Sequence, residues 1–173
     1  MDATAITSTE LDVASLVLRL ALGPMLVLHG LNKVRGGLSG TAAWFESLGL
    51  RPGWLHARVA AATEIGAGVL VTLGLLTGLS ATAFVGLMTV AALTDHRGKG
   101  YFIFKGGAEY VVLVAMVAVG LAVVGPGRWS LDHALGLDLA GIGWGAVALV
   151  GGLAAAAALL ATSYRPQTTR SNA

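Results

Sequence analysis

Four side chains in apolar stretches of this sequence are of types that could do chemistry: Arg19, His29, Glu64 and Glu109. Ionisable groups at bilayer depth are costly, so they usually face a bundle interior and mark functional sites by default. His29, Asn32 and Lys33 stand at i, i+3 and i+4, which places them on one helix face. Helix rise puts His29 roughly 6 Å before the end of its apolar run at Lys33, and Glu64 roughly 9 Å in from Arg58 at the start of the next. His29 and Glu64 are therefore expected at similar depth in adjacent antiparallel helices. Asp95 and His96 end the third run at that same side, and Glu109 opens the fourth. The chemistry this set could support is proton delivery to a reducible carbonyl compound such as a quinone, with His29 and Glu64 as donor and relay. Lys33 would stabilise a developing anion, and Asn32, Asp95, His96 and Glu109 would complete a ligand pocket. A hydrogen-bonded network that only fixes helix register is the other reading, because polar groups buried in lipid must be paired whatever their role.

Those residues need apolar elements to hold them. The 173 residues are 55% hydrophobic and 12% charged, against about 25% charged in an average soluble domain. The predicted fold is all-α, a polytopic membrane helix bundle in a single domain over 1–173. Spans are expected at about 11–33, 59–76, 79–94, 108–124 and 139–161, the first long enough to cross at about 1.5 Å per residue. Gly23-Pro24 predicts a kink in the first span. Residues 34–58, with Trp44, Phe45 and Trp54, predict a short amphipathic helix at the interface. The polar tail 162–173 is expected to be disordered.

Charge fixes the expected orientation. Five spans put Lys33, Arg35, Arg51, Arg58, Arg97, Lys99, Lys105, Arg165 and Arg170 on one side, nine of the eleven Lys and Arg residues. The positive-inside rule makes that side cytoplasmic. The expected location is a bacterial inner membrane, with the N-terminus outside and the C-terminus in the cytoplasm. The polar, acidic start lacks the basic region of a signal peptide. Basic residues confined to membrane-flanking loops do not point to nucleic acid.

Arg19 lies roughly 12 Å from the outer end, where no acid in the spans shares its depth. A structural ion pair with Asp132, folded back from the outer loop, is the leading expectation; Asp12 is the weaker partner. An anion or headgroup site under the Gly125-Pro126-Gly127 loop and simple snorkelling are the alternatives. The absence of Cys excludes thiol catalysis, disulfides, Fe–S clusters and zinc-thiolate sites. No haem is expected, because only His29 is clearly interior, and no metal site, because the ligand motifs are missing. In the fifth span Gly141 and Gly145 form a small-xxx-small pair. It would serve packing against the core, or association with a protein partner or a second copy.

Several local signatures occur in order: Arg19 to Gly23, His29-Gly30 to Lys33, Ala62-Thr63-Glu64, Gly66 and Gly68, Leu73 to Thr77, Glu109, and Gly125 to Asp132. Over residues 15 to 135 the chain resembles the DoxX family of small membrane proteins. The resemblance implies a four-helix membrane bundle, to which the fifth span is an addition. It also implies a link to membrane redox complexes. One branch of the family is a subunit of a thiosulfate:quinone oxidoreductase, and others accompany superoxide dismutase and a sulfurtransferase in oxidative-stress complexes. The expected function is thus a membrane subunit of a redox-linked complex that binds quinone or lipid near the cytoplasmic helix ends. A non-catalytic anchor or assembly partner is the alternative, and a small-molecule or lipid transporter the second. With no Cys and no cofactor motif, any redox chemistry here would need a bound organic molecule or a partner to carry the electrons.

Overall fold

The computed structural model describes residues 8–166. Helices run in the order α1 (Ser8–Arg35), α2 (Leu38–Ser47), α3 (Gly53–Leu73), α4 (Thr77–Leu93), α5 (Glu109–Val124), α6 (Leu131–Ala134) and α7 (Ile142–Ser163), with a 3₁₀ turn at Ile103–Lys105. Pro24 lies inside α1, whose helical run continues through it. α3 begins at Gly53, six residues earlier than the sequence predicts, behind Pro52 in an extended conformation. Its first turn therefore takes in His56. Thr162 and Ser163 complete α7, and Tyr164 bridges to Leu50, so the expected disorder does not extend to them. Residues 167–173, including Arg170, and the acidic start before Ser8 lie outside the described residues.

α1 and α7 are each long and apolar enough to cross a bilayer, while α4 and α5 are apolar but shorter. α3 has 21 residues but carries His56, Arg58 and Glu64. The exterior is apolar around the bundle: Val17, Leu28, Leu113, Met116 and Val150 are 58 to 68% exposed. Monomeric soluble proteins rarely present an apolar surface of this extent.

Glycine sets the closest helix approach. A Cβ on Gly68 of α3 would stand 2.7 Å from the Gly23 carbonyl of α1, and one on Gly30 would stand 2.9 Å from the Ala61 carbonyl. α1 and α3 thus pack backbone to backbone, as small residues allow where lipid supplies no hydrophobic drive. α4 packs on α3, α5 and α7, and its buried Ala81, Phe84 and Val85 face this core with Leu26, Val71, Leu121 and Ala148.

The bundle has two unlike ends. The basic end holds Lys33, Arg35, α2, the starts of α3 and α5 and the end of α7. There Arg51 N–H donates to Ser163 O at 2.9 Å and Arg165 N–H to Gly49 O at 2.6 Å, tying the chain end to the α2–α3 connection. The opposite end holds the α3–α4 turn and the segment 125–141.

Candidate functional site

At the basic end Lys33 and Glu64 form a bidentate ion pair, with Nζ 2.7 Å from each carboxylate oxygen. Their side chains are only 15% and 10% exposed. Lys33 sits three residues after Gly30, where α1 lies close enough to α3 for the ammonium to reach across.

This pair closes one end of a half-open cavity of about 470 Å³. α4 forms its floor from Leu79 to Ala91, a run of about 18 Å, with Thr94 and Asp95 just beyond the helix end. α3 contributes His56, Ala60, Thr63 and Glu64, α7 contributes Ala155, Ala156 and Leu159, and α2 lays Trp44 and Phe45 over the basic end. The charged groups and the imidazole, Lys33, His56, Glu64 and Asp95, gather at that end with Thr94, and the remainder is lined mainly by Leu, Val, Ala and Gly, with the Thr82 hydroxyl donating to its own helix at Gly78 O. His56 is buried, and its Nε2 donates to Arg51 O at 3.3 Å. A cavity with a polar head and an apolar slot matches an amphiphile with a single long tail.

Of the predicted set, the structure brings Lys33, Glu64 and Asp95 to this cavity and leaves the others elsewhere. His29 is exposed on the outer face of α1, as is Asn32, and neither lines the cavity. Depth was not the obstacle: His29 precedes the buried Gly30 by one residue, which turns it about 100° from the packed face. Glu109 instead accepts from Ile103 N–H at 3.0 Å and orders the loop before α5. His96 donates through Nδ1 to Gly106 O at 2.6 Å in the same loop. His56 is the residue the sequence reading missed. Its signal was the spacing His56, Ala60, Glu64, one helix face at i, i+4 and i+8, hidden by placing the helix start at 59.

The opposite end is a second polar cluster, and its pairing also differs from expectation. Arg19, 1% exposed, does not pair directly with Asp132. It donates to Thr72 O at 3.2 Å and Trp129 O at 2.6 Å, while its Nε is buried without a hydrogen-bond partner. Asp132 is occupied by α4: it accepts from Leu76 N–H at 2.7 Å, Thr77 N–H at 2.9 Å and the Thr77 hydroxyl at 2.7 Å. The ion pair at this end is Asp12–Arg128, in which Arg128 also donates its backbone N–H to Asp12 at 2.9 Å. Ser15 donates to Gly125 O at 2.6 Å. Asp12, Ser15 and Arg19 thus lie on one buried face of α1 and clasp segment 125–132.

In α7 a Cβ on Gly145 would collide with Val123 of α5, so this glycine serves packing within the chain. Gly141, at φ +100°, precedes the first residue of α7 and faces open space. Among the described residues no three His, Cys, Asp or Glu side chains gather as metal ligands.

An apolar exterior around helices that enclose the Lys33–Glu64 pair and Arg19 is the construction of an integral membrane protein. The comparisons name which kind: the DoxX family model matches residues 14–97, from α1 to the loop after α4. The chain is 35% identical over 121 residues to "Putative oxidoreductase CatD" of Bacillus subtilis (strain 168), covering 70% of this chain and 86% of that protein. It is 30% identical over 129 residues to "Inner membrane protein YphA" of Escherichia coli (strain K12), covering 70% of this chain and 89% of that one. The chain belongs to the DoxX family. No solved structure matches it.

Proposed function

We propose that the protein is a multi-pass subunit of a membrane redox system that takes an isoprenoid quinone, or a lipid of similar shape, into the α3–α4–α7 cavity. α1, α3, α4 and α5 form the spanning core and α7 the fifth span, in a bacterial inner membrane. The N-terminus lies outside and the basic end lies in the cytoplasm, as the placement of Lys and Arg favours. The observation that carries this reading is the cavity itself: an apolar slot ending at the buried Lys33–Glu64 pair. The name of the Bacillus subtilis relative supports a redox setting.

In this reading the quinone ring sits at the polar end and the tail runs along α4. Reduction to the quinol takes two electrons from a donor subunit and two protons. Glu64 and His56 are the groups placed to pass those protons, and Lys33 balances charge that builds on the ring oxygens. His56 takes the part that the sequence assigns to His29. The test is gentle purification followed by mass spectrometry of retained lipids. Quinone should be present, and lost from Glu64→Gln and Lys33→Met with helicity unchanged. Folded variants that keep their quinone, or wild type that holds none, overturn the proposal.

A second reading, as an assembly partner, is favoured by His29 and Asn32. Both are polar and exposed on a membrane helix, and no partner for either occurs among the described residues. A neighbouring subunit is the simplest cover for such groups. His29→Ala should then lose a co-purifying protein while keeping quinone; unchanged subunit recovery removes this reading.

A further inference from the structure

A second cleft, of about 780 Å³, opens at the basic end between α4, α7 and the loop 95–108. Its floor is apolar, formed by Ala92, Leu93, Ala108 and Leu160, and its rim carries His96, Arg97 and Tyr164. We infer that this cleft binds the headgroup of an anionic phospholipid from the leaflet at the basic end, with the phosphate on Arg97 and acyl chain on the floor.

Arg97 is exposed yet held in place. Its guanidinium lies 5.7 Å from the Tyr164 ring centroid, and Nη1 donates to the Tyr164 hydroxyl at 3.0 Å. A guanidinium has five N–H donors in a planar fork, so four remain for a ligand. That fork matches two oxygens of a phosphodiester. Preorganisation on Tyr164 removes part of the side-chain ordering cost of binding.

The charge of the loop favours an anion. Between 95 and 108 three cations, Arg97, Lys99 and Lys105, face one carboxylate, Asp95. Asp95 is engaged by Lys99 at 3.3 Å and stands 4.0 Å from His96 Nε2. The nearby Glu109 carboxylate is engaged by Ile103 N–H. Among the described residues Arg97 therefore has no carboxylate partner. The same loop exposes Tyr101 at 56% and Phe104 at 77%, side chains suited to the headgroup layer. A basic pocket over an apolar floor on the cytoplasmic side is a recurrent way to hold an anionic lipid. This inference needs only that the protein sits in a membrane, and it stands or falls apart from the quinone cavity.

The test uses the full chain in nanodiscs of phosphatidylcholine with a minority of phosphatidylglycerol, ejected into a native mass spectrometer. Wild type should retain phosphatidylglycerol beyond its share of the bilayer. Arg97→Gln should lower that retention about tenfold, as expected for losing a charged hydrogen-bonded pair. Phosphatidylcholine retention should stay as in wild type. Excess inorganic phosphate should fail to displace the lipid, because it has no chains for the floor. Wild-type retention in proportion to bilayer composition overturns the inference without any variant. So does an Arg97→Gln protein that behaves as wild type, and displacement by inorganic phosphate would make this a free-anion site instead.

Discussion

Lys33 and Glu64 can be separated from each other by mutation, and the asymmetry of the result is informative. Lys33→Met leaves a carboxylate about nine-tenths buried without its cation. Breaking a buried pair in this way costs about 3 kcal/mol or more, whereas replacing both partners by apolar groups is often near neutral. Lys33→Met should therefore lower the thermal midpoint in detergent strongly, and Lys33→Met with Glu64→Leu should recover most of it. A double variant as unstable as the single would show that the pair is not the source of the loss. At this scale the sequence was informative about residue type and depth, and less so about direction. Helix rise and the order of the apolar runs put Lys33, Glu64 and Asp95 at one end, and the three line one cavity. Azimuth is harder, since one residue turns a side chain by about 100°, and that is the distance between His29 and the packed face. Arg19 and Asp132 were misread for another reason. Each satisfies backbone groups, and an unpaired carbonyl or N–H at a helix end leaves no trace in a side-chain pattern.

At the scale of elements, the α3–α4 turn shows how distant residues complete a local structure. Leu76 adopts φ 51°, the left-handed region that a Cβ disfavours. It precedes α4, whose first N–H groups have no partners within the helix. Asp132, 55 residues from Thr77, supplies them with its carboxylate. Asp132→Ala should remove three hydrogen bonds and release the strained turn. A loss of about 2 kcal/mol is expected, at the upper end for a helix cap. The check is thermal unfolding together with faster hydrogen exchange at the start of α4; exchange confined to segment 125–132 would mean that the carboxylate organises only its own loop. The α1–α3 contact gives a second prediction. Gly23→Leu would drive a side chain into Thr72 and the Gly68 carbonyl. Overpacking costs about 1–3 kcal/mol where neighbours can move, and here the Thr72 hydroxyl is backed by the Gly68 carbonyl and the Thr72 N–H of the α3 backbone, so the upper figure is expected in the same unfolding measurement. The helices themselves were legible as apolar runs bounded by Gly, Pro and charge. The early start of α3 was not, because Arg58 near its beginning reads as a span boundary.

At the scale of the whole molecule, charge sidedness and cavity architecture lead to two separate measurements. Reporter fusions at Gly98 and at Gly127 should report opposite sides, with Gly98 cytoplasmic, because all the described basic residues except Arg19 and Arg128 gather at the Gly98 end. Equal signals from both would remove the proposed topology. The cavity tests what α7 contributes. This helix lies beyond the residues matched by the family model, yet it supplies one wall of the slot. α3 and α7 both pack on α4, so the slot floored by α4 is bounded on one side by α3, within the residues the family model matches, and on the other by α7, outside them. Ala155 of α7 lines the slot and is itself exposed, so a larger side chain there has room to turn without disturbing the core. Ala155→Phe should leave the free energy of unfolding within about 0.5 kcal/mol of wild type, as for a surface change. It should nonetheless reduce retention of a long-tailed quinone, since it narrows the apolar slot and leaves Lys33, His56 and Glu64 untouched. A short-tailed quinone analogue, held by the polar end alone, should bind Ala155→Phe and wild type alike. If the long-tailed and short-tailed forms lose affinity equally, the tail does not run between α4 and α7, and α7 has no part in the site.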